Sequence, residues 1–241
     1  MRLDLALVER GLSRSRSHSR QLLESGRVRV EGLSTVKAST SVSDDTLIQV
    51  EADPYVSRAA HKLIGALDAC QQVVAGRVLD AGASTGGFTQ VLLERGAALV
   101  YAVDVGHGQM ADTVRADPRV VVREGLNLRD LSVEDVGGEP VDLVVADVSF
   151  ISLTLILEQL FNVLSRNGTA LVLVKPQFEV GREALDSHGV VTDLHVRTQA
   201  VEKVVAQATR LGWSLAWSGA STLTGEKGNR EVFCLFQRCI W

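Results

Sequence analysis

The spacing of hydrophobic residues changes its period once along the chain. Up to about residue 50 it is mixed. Leu3, Leu7 and Val8 fall at helical intervals, and Gly11 stops that run. Ser13 or Ser15 can cap a second helix that continues from Ser17 to Glu24 and ends at Gly26. Val28 and Val30 then alternate with Arg27, Arg29 and Glu31, the period of a half-buried strand. Gly32 turns the chain, and Leu47-Ile48-Gln49-Val50 supplies another strand. Residues 1–50 therefore read as one small α+β module. Roughly fifty residues bury little apolar surface, so this module is expected to lean on a neighbour or a ligand. Residues 51–56 read as a linker, because Pro54 lacks a donor and biases Asp53 towards extended backbone.

From residue 57 to 241 strands and helices alternate. The strands expected are Arg77–Asp80, Leu99–Asp104, Val120–Arg123, Val141–Asp147, Ala170–Lys175, Trp213–Ser218 and Glu231–Phe236. Helices are expected over Ser57–Cys70, Phe88–Arg95, around Met110–Arg115, over Leu153–Leu164 and over Asp193–Leu211. Apolar, β-branched strands separated by helices predict an α/β fold: a mainly parallel sheet covered on both faces. The last two strands have no helix between them and are expected to pair antiparallel.

Composition supports a packed, soluble protein: 46% of the 241 residues are hydrophobic and 22% charged. The three cysteines, Cys70, Cys234 and Cys239, form no Cys-x-x-Cys and suit a reducing, cytoplasmic setting. Arg2, Asp4, Glu9 and Arg10 interrupt any signal core at the start. No apolar run approaches the ~20 residues of a membrane span. The net charge is −4, yet from Ser13 to Lys37 six basic residues face only Glu24 and Glu31. Arg2, Arg14, Arg16, Arg20, Arg27 and Lys37 are the candidate phosphate contacts. A solvated helix face would show the same charges.

The strongest chemical signal is the loop Asp80-Ala-Gly-Ala-Ser-Thr-Gly-Gly-Phe88, which joins an apolar strand to a helix. Gly82, Gly86 and Gly87 let backbone approach a ligand closely. Ser84, Thr85 and Thr89 supply hydroxyls, and Asp104, ending the next strand, suits ribose hydroxyls. A dinucleotide site would show Gly-x-Gly-x-x-Gly and a pyrophosphate at the helix start. Here an acid precedes the glycines; Asp80 repels a pyrophosphate but suits the cationic part of S-adenosylmethionine. The pattern resembles that of Rossmann-like methyltransferases. Phe88 at the helix start and Asn127 after the third strand complete the expected cofactor site, together with Asp147 and Phe150.

Asp147 ends the fourth strand and opens Asp147-Val148-Ser149-Phe150. The Asn/Asp-Pro-Pro-aromatic text of exocyclic-amine methylation is absent. Carbon-5 pyrimidine methylation needs a cysteine nucleophile, and none lies near this strand end or the next. A hydroxyl acceptor is what remains. Lys175 closes the fifth strand and Lys62 lies on a helix face with Ala59, Gly65 and Ala66. Each lysine either carries its head to solvent or acts on the acceptor. A lysine base must be neutral, and bringing any lysine from ~10.4 to 7 costs roughly 4–5 kcal/mol. Base and electrostatic stabiliser both stay open. Glu231 heads a strand that is apolar on both faces.

These residues carry four resemblances. Arg2-Leu3-Asp4, Leu7, Gly11, Ser15-Arg16, Arg20, Leu23, Gly26, Val28, Val30, Gly32 and Lys37 resemble the S4 RNA-binding domain. Arg2-Leu3-Asp4 also resembles part of a pseudouridine synthase motif, but no synthase domain follows it. Lys62, Asp147, Lys175 and Glu231 resemble, in order and in place, the Lys-Asp-Lys-Glu tetrad of ribose 2′-O-methyltransferases. The whole chain resembles the TlyA/hemolysin A family of rRNA 2′-O-methyltransferases, an S4 domain joined to an FtsJ-like methyltransferase domain. The signatures are Ser57-Arg-Ala-Ala-His-Lys-Leu63, Gly82-Ala-Ser-Thr-Gly-Gly-Phe88, Asp147-Val-Ser-Phe-Ile-Ser152, Lys175-Pro-Gln-Phe-Glu179 and Gly228-Asn-Arg-Glu231.

That resemblance implies S-adenosylmethionine-dependent, metal-free methylation of cytidine 2′-hydroxyls in ribosomal RNA or a ribosomal subunit. Starting almost at the S4 motif, the chain resembles the shorter members, which act on 23S rRNA alone. The rival expectations are a non-catalytic RNA-binding assembly factor and a membrane-active haemolysin. Incubating unmodified rRNA with labelled cofactor separates the first rival, and a liposome leakage assay the second.

Overall fold

A computed structural model describes residues 1–13 and 15–239. The chain divides into two compact units, Met1–Pro54 and Tyr55–Trp241.

In the first unit, helix α1 (Leu3–Glu9) and helix α2 (Arg16–Glu24) pack on a two-stranded ribbon of β1 (Val28–Val30) and β2 (Ile48–Val50). The strands pair antiparallel, Val28 opposite Val50. Of the two candidate serines, Ser15 caps α2: its Oγ accepts from the His18 amide at 3.2 Å. The core is small, built from Leu3, Ala6, Leu7, Leu22, Val28, Val30, Val42 and Ile48. Hydrogen bonds from the first residues to the long β1–β2 connection supplement it. The Met1 amine donates to the Val42 carbonyl at 2.8 Å, and the Leu3 amide to that of Thr40 at 2.7 Å.

The second unit is a three-layer α/β fold. Its strands are β3 (Arg77–Ala81), β4 (Leu99–Asp104), β5 (Val120–Glu124), β6 (Val141–Ala146), β7 (Leu164–Val174), β8 (Trp213–Ala220) and β9 (Val232–Arg238). They stand in the order β5-β4-β3-β6-β7-β9-β8, parallel from β5 to β7. β9 is antiparallel to both neighbours, β7 and β8. Helices α3 (Ala59–Cys70) and α4 (Gly87–Glu94) cover one face, where Val78, Val100, Leu143, Val145, Leu171, Leu173 and Phe233 point. Helices α6 (Leu157–Asn162) and α8 (Leu194–Arg210) cover the other, over Leu79, Val103, Val144, Val172, Val174, Cys234 and Phe236. Successive residues of one strand thus enter opposite cores, which is why the strands are apolar without alternation.

Four elements differ from expectation. The helix expected over Leu153–Leu164 is a 3-10 turn at Leu153–Leu155, capped by Ser152, followed by α6. Leu164 leaves the helix because its backbone pairs with Val141 and its side chain is buried. β7 consequently starts there, and its polar stretch Ser165–Gly168 passes a register shift before Thr169 meets Leu143. The expected helix around Met110–Arg115 is a single turn, α5 (Asp112–Arg115), with Met110 buried ahead of it. A further short helix, α7 (Pro176–Glu179), begins directly after Lys175, with Pro176 at its first position, where no amide donor is needed.

Candidate active site

Strand order reverses between β3 and β6: β4 and β5 lie on one side, β7 on the other. In doubly wound sheets the crevice at the carboxyl ends of such strands receives ligands. Asp80 lies in β3, fully buried. Thr89 donates to its Oδ2 at 2.7 Å, while its buried Oδ1 has no hydrogen-bond partner among the described residues. An unmatched buried acceptor is costly unless a donor or cation completes it. Burial pushes the Asp80 carboxyl up from 3.8 to about 7, with the charges of Asp147 and Asp104 adding and Thr89 opposing.

The glycine loop then crosses the end of β6. At Gly82 φ is +88°, and a Cβ there would stand 2.8 Å from the Asp147 carbonyl oxygen. Only glycine allows both the conformation and the approach. Gly86, with φ +92°, caps α4, which Gly87 opens. Asp104, at the end of β4, holds the loop: its Oδ2 accepts from the Ser84 amide at 2.8 Å and its Oδ1 from the Gly106 amide at 2.7 Å. Ser84 Oγ donates to Gln109 Oε1 at 3.2 Å, and the Thr85 carbonyl accepts from the Ala111 amide at 3.2 Å. Asn127 is exposed in the loop after β5, next to Leu126, whose amide donates to the Asp104 carbonyl at 3.2 Å.

Two residues of this loop do something else. The Phe88 side chain is in the core, stacked on Phe233 with ring centres 6.2 Å apart, so only its backbone faces the loop. The helix turns it inward one position after Gly87. The Thr89 hydroxyl is taken by Asp80.

The four charged residues form two close pairs. Val174 of β7 stands opposite Val232 of β9, which brings the flanking Lys175 and Glu231 to adjacent places at the carboxyl edge of β7. Glu231 stands one residue before β9 and Asp147 one after β6, not within those strands. Lys62 Nζ donates to Glu231 Oε2 at 2.6 Å, with both side chains buried. Lys175 Nζ lies 2.7 Å from Asp147 Oδ1, an ion pair, and donates to Ser149 Oγ at 2.8 Å. Neither lysine carries its head to solvent. The small face of α3 explains the first pair: Thr222 packs against Gly65 and donates to the His61 carbonyl at 3.2 Å, which docks the β8–β9 connection on α3. Buried ion pairs are poor stabilisers, and a lone survivor costs about 3–5 kcal/mol.

Phe150 sits beside these pairs in a left-handed conformation, φ +65°, and is 91% exposed. Its ring lies 5.3 Å from that of Phe178. Glu179, buried at the end of α7, accepts from Ser152 Oγ at 2.5 Å and from the Leu153 amide at 2.7 Å. It thereby ties the segment bearing Lys175 to the segment bearing Asp147 and Ser149. Ser149, Phe178 and Glu179 fall inside the quoted family signatures, but no periodicity assigned them a role; Gln109, in a loop, carries no sequence signal.

The basic candidates fall in the first unit. Arg2, Arg16 and Arg20 gather around Asp4. Arg27 donates to the Glu51 carbonyl and to Asp53 Oδ2, so its guanidinium is engaged within the module. Lys37 is exposed. Arg14 lies outside the described residues. Among the described residues no helix is long and apolar enough to cross a membrane.

Comparison with known proteins agrees with both units. Residues 55–238 match the FtsJ-like methyltransferase family and residues 1–46 the S4 domain. The chain is 52% identical over 236 residues to the 16S/23S rRNA (cytidine-2′-O)-methyltransferase TlyA of Mycobacterium tuberculosis, covering 96% of this chain and 88% of that one. It is 32% identical to the 23S rRNA (cytidine-2′-O)-methyltransferase TlyA of Campylobacter jejuni, over 97% of this chain and 98% of that one. A solved structure from Streptococcus thermophilus is 35% identical, with a TM-score of 0.76 over 99% of this chain and 88% of that one. The chain belongs to the TlyA/hemolysin A family of S4-bearing, FtsJ-like methyltransferases.

Proposed function

We propose that the chain methylates the ribose 2′-hydroxyl of cytidine in ribosomal RNA, with S-adenosylmethionine as donor, in the cytoplasm. The observation that carries this reading is the buried Lys175 ammonium, held by Asp147 and Ser149 at the carboxyl edge of the sheet beside the glycine loop. 23S rRNA is the proposed substrate, because it is common to the names of both relatives.

The residues fit the donor. The unmatched Oδ1 of Asp80 suits a cationic group, and Gly82 keeps the crevice floor free of side chains. Ser84, Thr85, Gly86 and Gly87 line the loop. Asp104 retains lone pairs for ribose hydroxyls, and Asn127, exposed in the loop after β5, would help hold the adenosine. When bound, the donor supplies a methyl group on sulfur. That methyl would pass to the ribose oxygen with a neutral thioether as leaving group, and the hydroxyl proton would go to Lys175, if deprotonated, or to water.

This chain's own contribution is placement and charge. Lys175 contacts the ribose oxygen, as charge stabiliser while it is an ammonium, or as proton acceptor once it has given up a proton. Asp147 and Ser149 aim it, and the Lys62–Glu231 pair stands next to it at the same sheet edge. Phe150 offers a ring on which an unstacked base can rest. Phosphate contacts come from Arg2, Arg16, Arg20 and Lys37.

The test is transfer of labelled methyl from S-adenosylmethionine to unmodified 23S rRNA. Lys175→Ala is expected to abolish transfer while cofactor binding, read by calorimetry, survives. Near-normal turnover by that variant would remove Lys175 from the reaction. Absence of transfer by the wild-type chain would remove the function.

A further inference from the structure

Arg2-Leu3-Asp4 stands out in the sequence, and the catalytic reading does not use it. Asp4 lies in the first turn of α1 and is fully buried. Three guanidiniums from three places converge on its carboxylate. Arg2, before the helix, donates from Nε to Oδ1 at 3.0 Å and from Nη2 to Oδ2 at 3.2 Å. Arg16, at the start of α2, donates from Nε to Oδ2 at 2.9 Å. Arg20, one turn later, brings its Nε to 3.9 Å from the same oxygen. The three side chains nevertheless stay about half exposed, at 46%, 50% and 54%.

Three positive charges and one negative charge occupy one spot of the module. Guanidiniums with no acid between them repel, and long arginine side chains disperse over many rotamers. Here the carboxylate accepts from Arg16 Nε and attracts Arg20 from 3.9 Å, while both side chains stay about half exposed. The acid is itself fixed, because the Asp4 amide donates to the Ala38 carbonyl at 3.2 Å. Its carboxyl is pulled from 3.8 to about 2, chiefly by the hydrogen bond from Arg2 and against burial, so it stays ionised at any working pH.

We propose that Asp4 is a positioning residue for RNA: it holds Arg2, Arg16 and Arg20 as one preformed array for closely spaced phosphates of a nucleic-acid backbone. The proposal rests on the reading that this protein binds ribosomal RNA. Its content is a sign. Removing a negative charge normally tightens the grip on a polyanion. At Asp4 it loosens it, because the arginines must then be ordered at the moment of binding.

The test uses the full chain and unmodified 23S rRNA. Asp4→Asn is expected to lower affinity about tenfold at fixed salt. It should also flatten the dependence of log affinity on log salt, because fewer phosphates are met together. Affinity equal to or tighter than wild type, in a variant with the wild-type unfolding midpoint, overturns the proposal. A second comparison does not depend on Asp4→Asn folding well. Arg20→Gln and Lys37→Gln each remove one exposed positive charge, and the array predicts the larger loss for Arg20→Gln. Equal losses mean simple charge counting and overturn the proposal. Failure of the wild-type chain to bind rRNA is a separate result and overturns the RNA reading itself.

Discussion

A carboxylate with one oxygen satisfied and the other buried without a donor is poised between two protonation states, and Asp80 is such a group. Its folded value, about 7, lies above the ordinary 3.8. The folded chain therefore holds a proton that the unfolded chain has lost, between about pH 4 and 7. Stability from this group falls as pH rises through that window and is level above it. A cationic ligand favours the ionised form, so binding expels the proton. Affinity for S-adenosylmethionine is expected to rise with pH up to about 7 and then flatten, with proton release below that point. Calorimetry in buffers of different ionisation enthalpy reads both. An affinity that does not change across the window would remove Asp80 from the cofactor site. The sequence showed Asp80 as an acid at a strand end. It could not show the burial, which depends on α4 closing over β3, nor that Thr89 is bound to this acid. The burial of the Phe88 ring was out of reach for the same reason: helix phase decides which residue faces in.

At the scale of elements, the strands were legible and the joints between elements were not. Apolar, β-branched runs set β3 to β6 to within a residue or so, because covered strands admit little else. Ser165–Gly168 is polar and hid the start of β7, where pairing with Val141 outweighs local propensity. The joint that matters most is Glu179. Burial raises its carboxyl above the ordinary 4.5, against the hydrogen bonds from Ser152 and Leu153 and the charge of Lys203. Lys203 of α8 also donates to the Glu179 carbonyl at 2.7 Å. Glu179→Ala leaves the Leu153 amide and the Ser152 hydroxyl without their acceptor, at about 1–3 kcal/mol. Urea unfolding should show that loss. Hydrogen exchange should quicken at the Leu153 amide while the β3 amides keep their protection. An unchanged Leu153 amide would mean that the brace is dispensable.

Over the whole molecule, basic charge is concentrated in one stretch of the first unit. The chain carries −4, yet residues 13–37 hold six basic residues against two acids. The two proposed ligands should therefore answer differently to salt. Between 50 and 200 mM salt, affinity for rRNA is expected to fall by about a hundredfold, while affinity for the methyl donor hardly moves. Parallel titrations of one preparation check this, and a flat RNA curve would count against phosphate contacts. That basic stretch was legible in the sequence; the pairing of Lys62 with Glu231, 169 positions apart, became so only through a family resemblance.

The placement of β9 bears on the order in which a ribosome releases this chain. β9 follows β8 in sequence, yet it lies between β7 and β8. Until residues 232–238 have emerged, the edge of β7 lacks its neighbour and β8 has nothing to pair with. Glu231 arrives with that strand, so Lys62 waits beside an open sheet for its counter-charge. The reaction centre is thus completed by the strand that closes the sheet, and a nascent chain that has not yet closed it has no finished site with which to act.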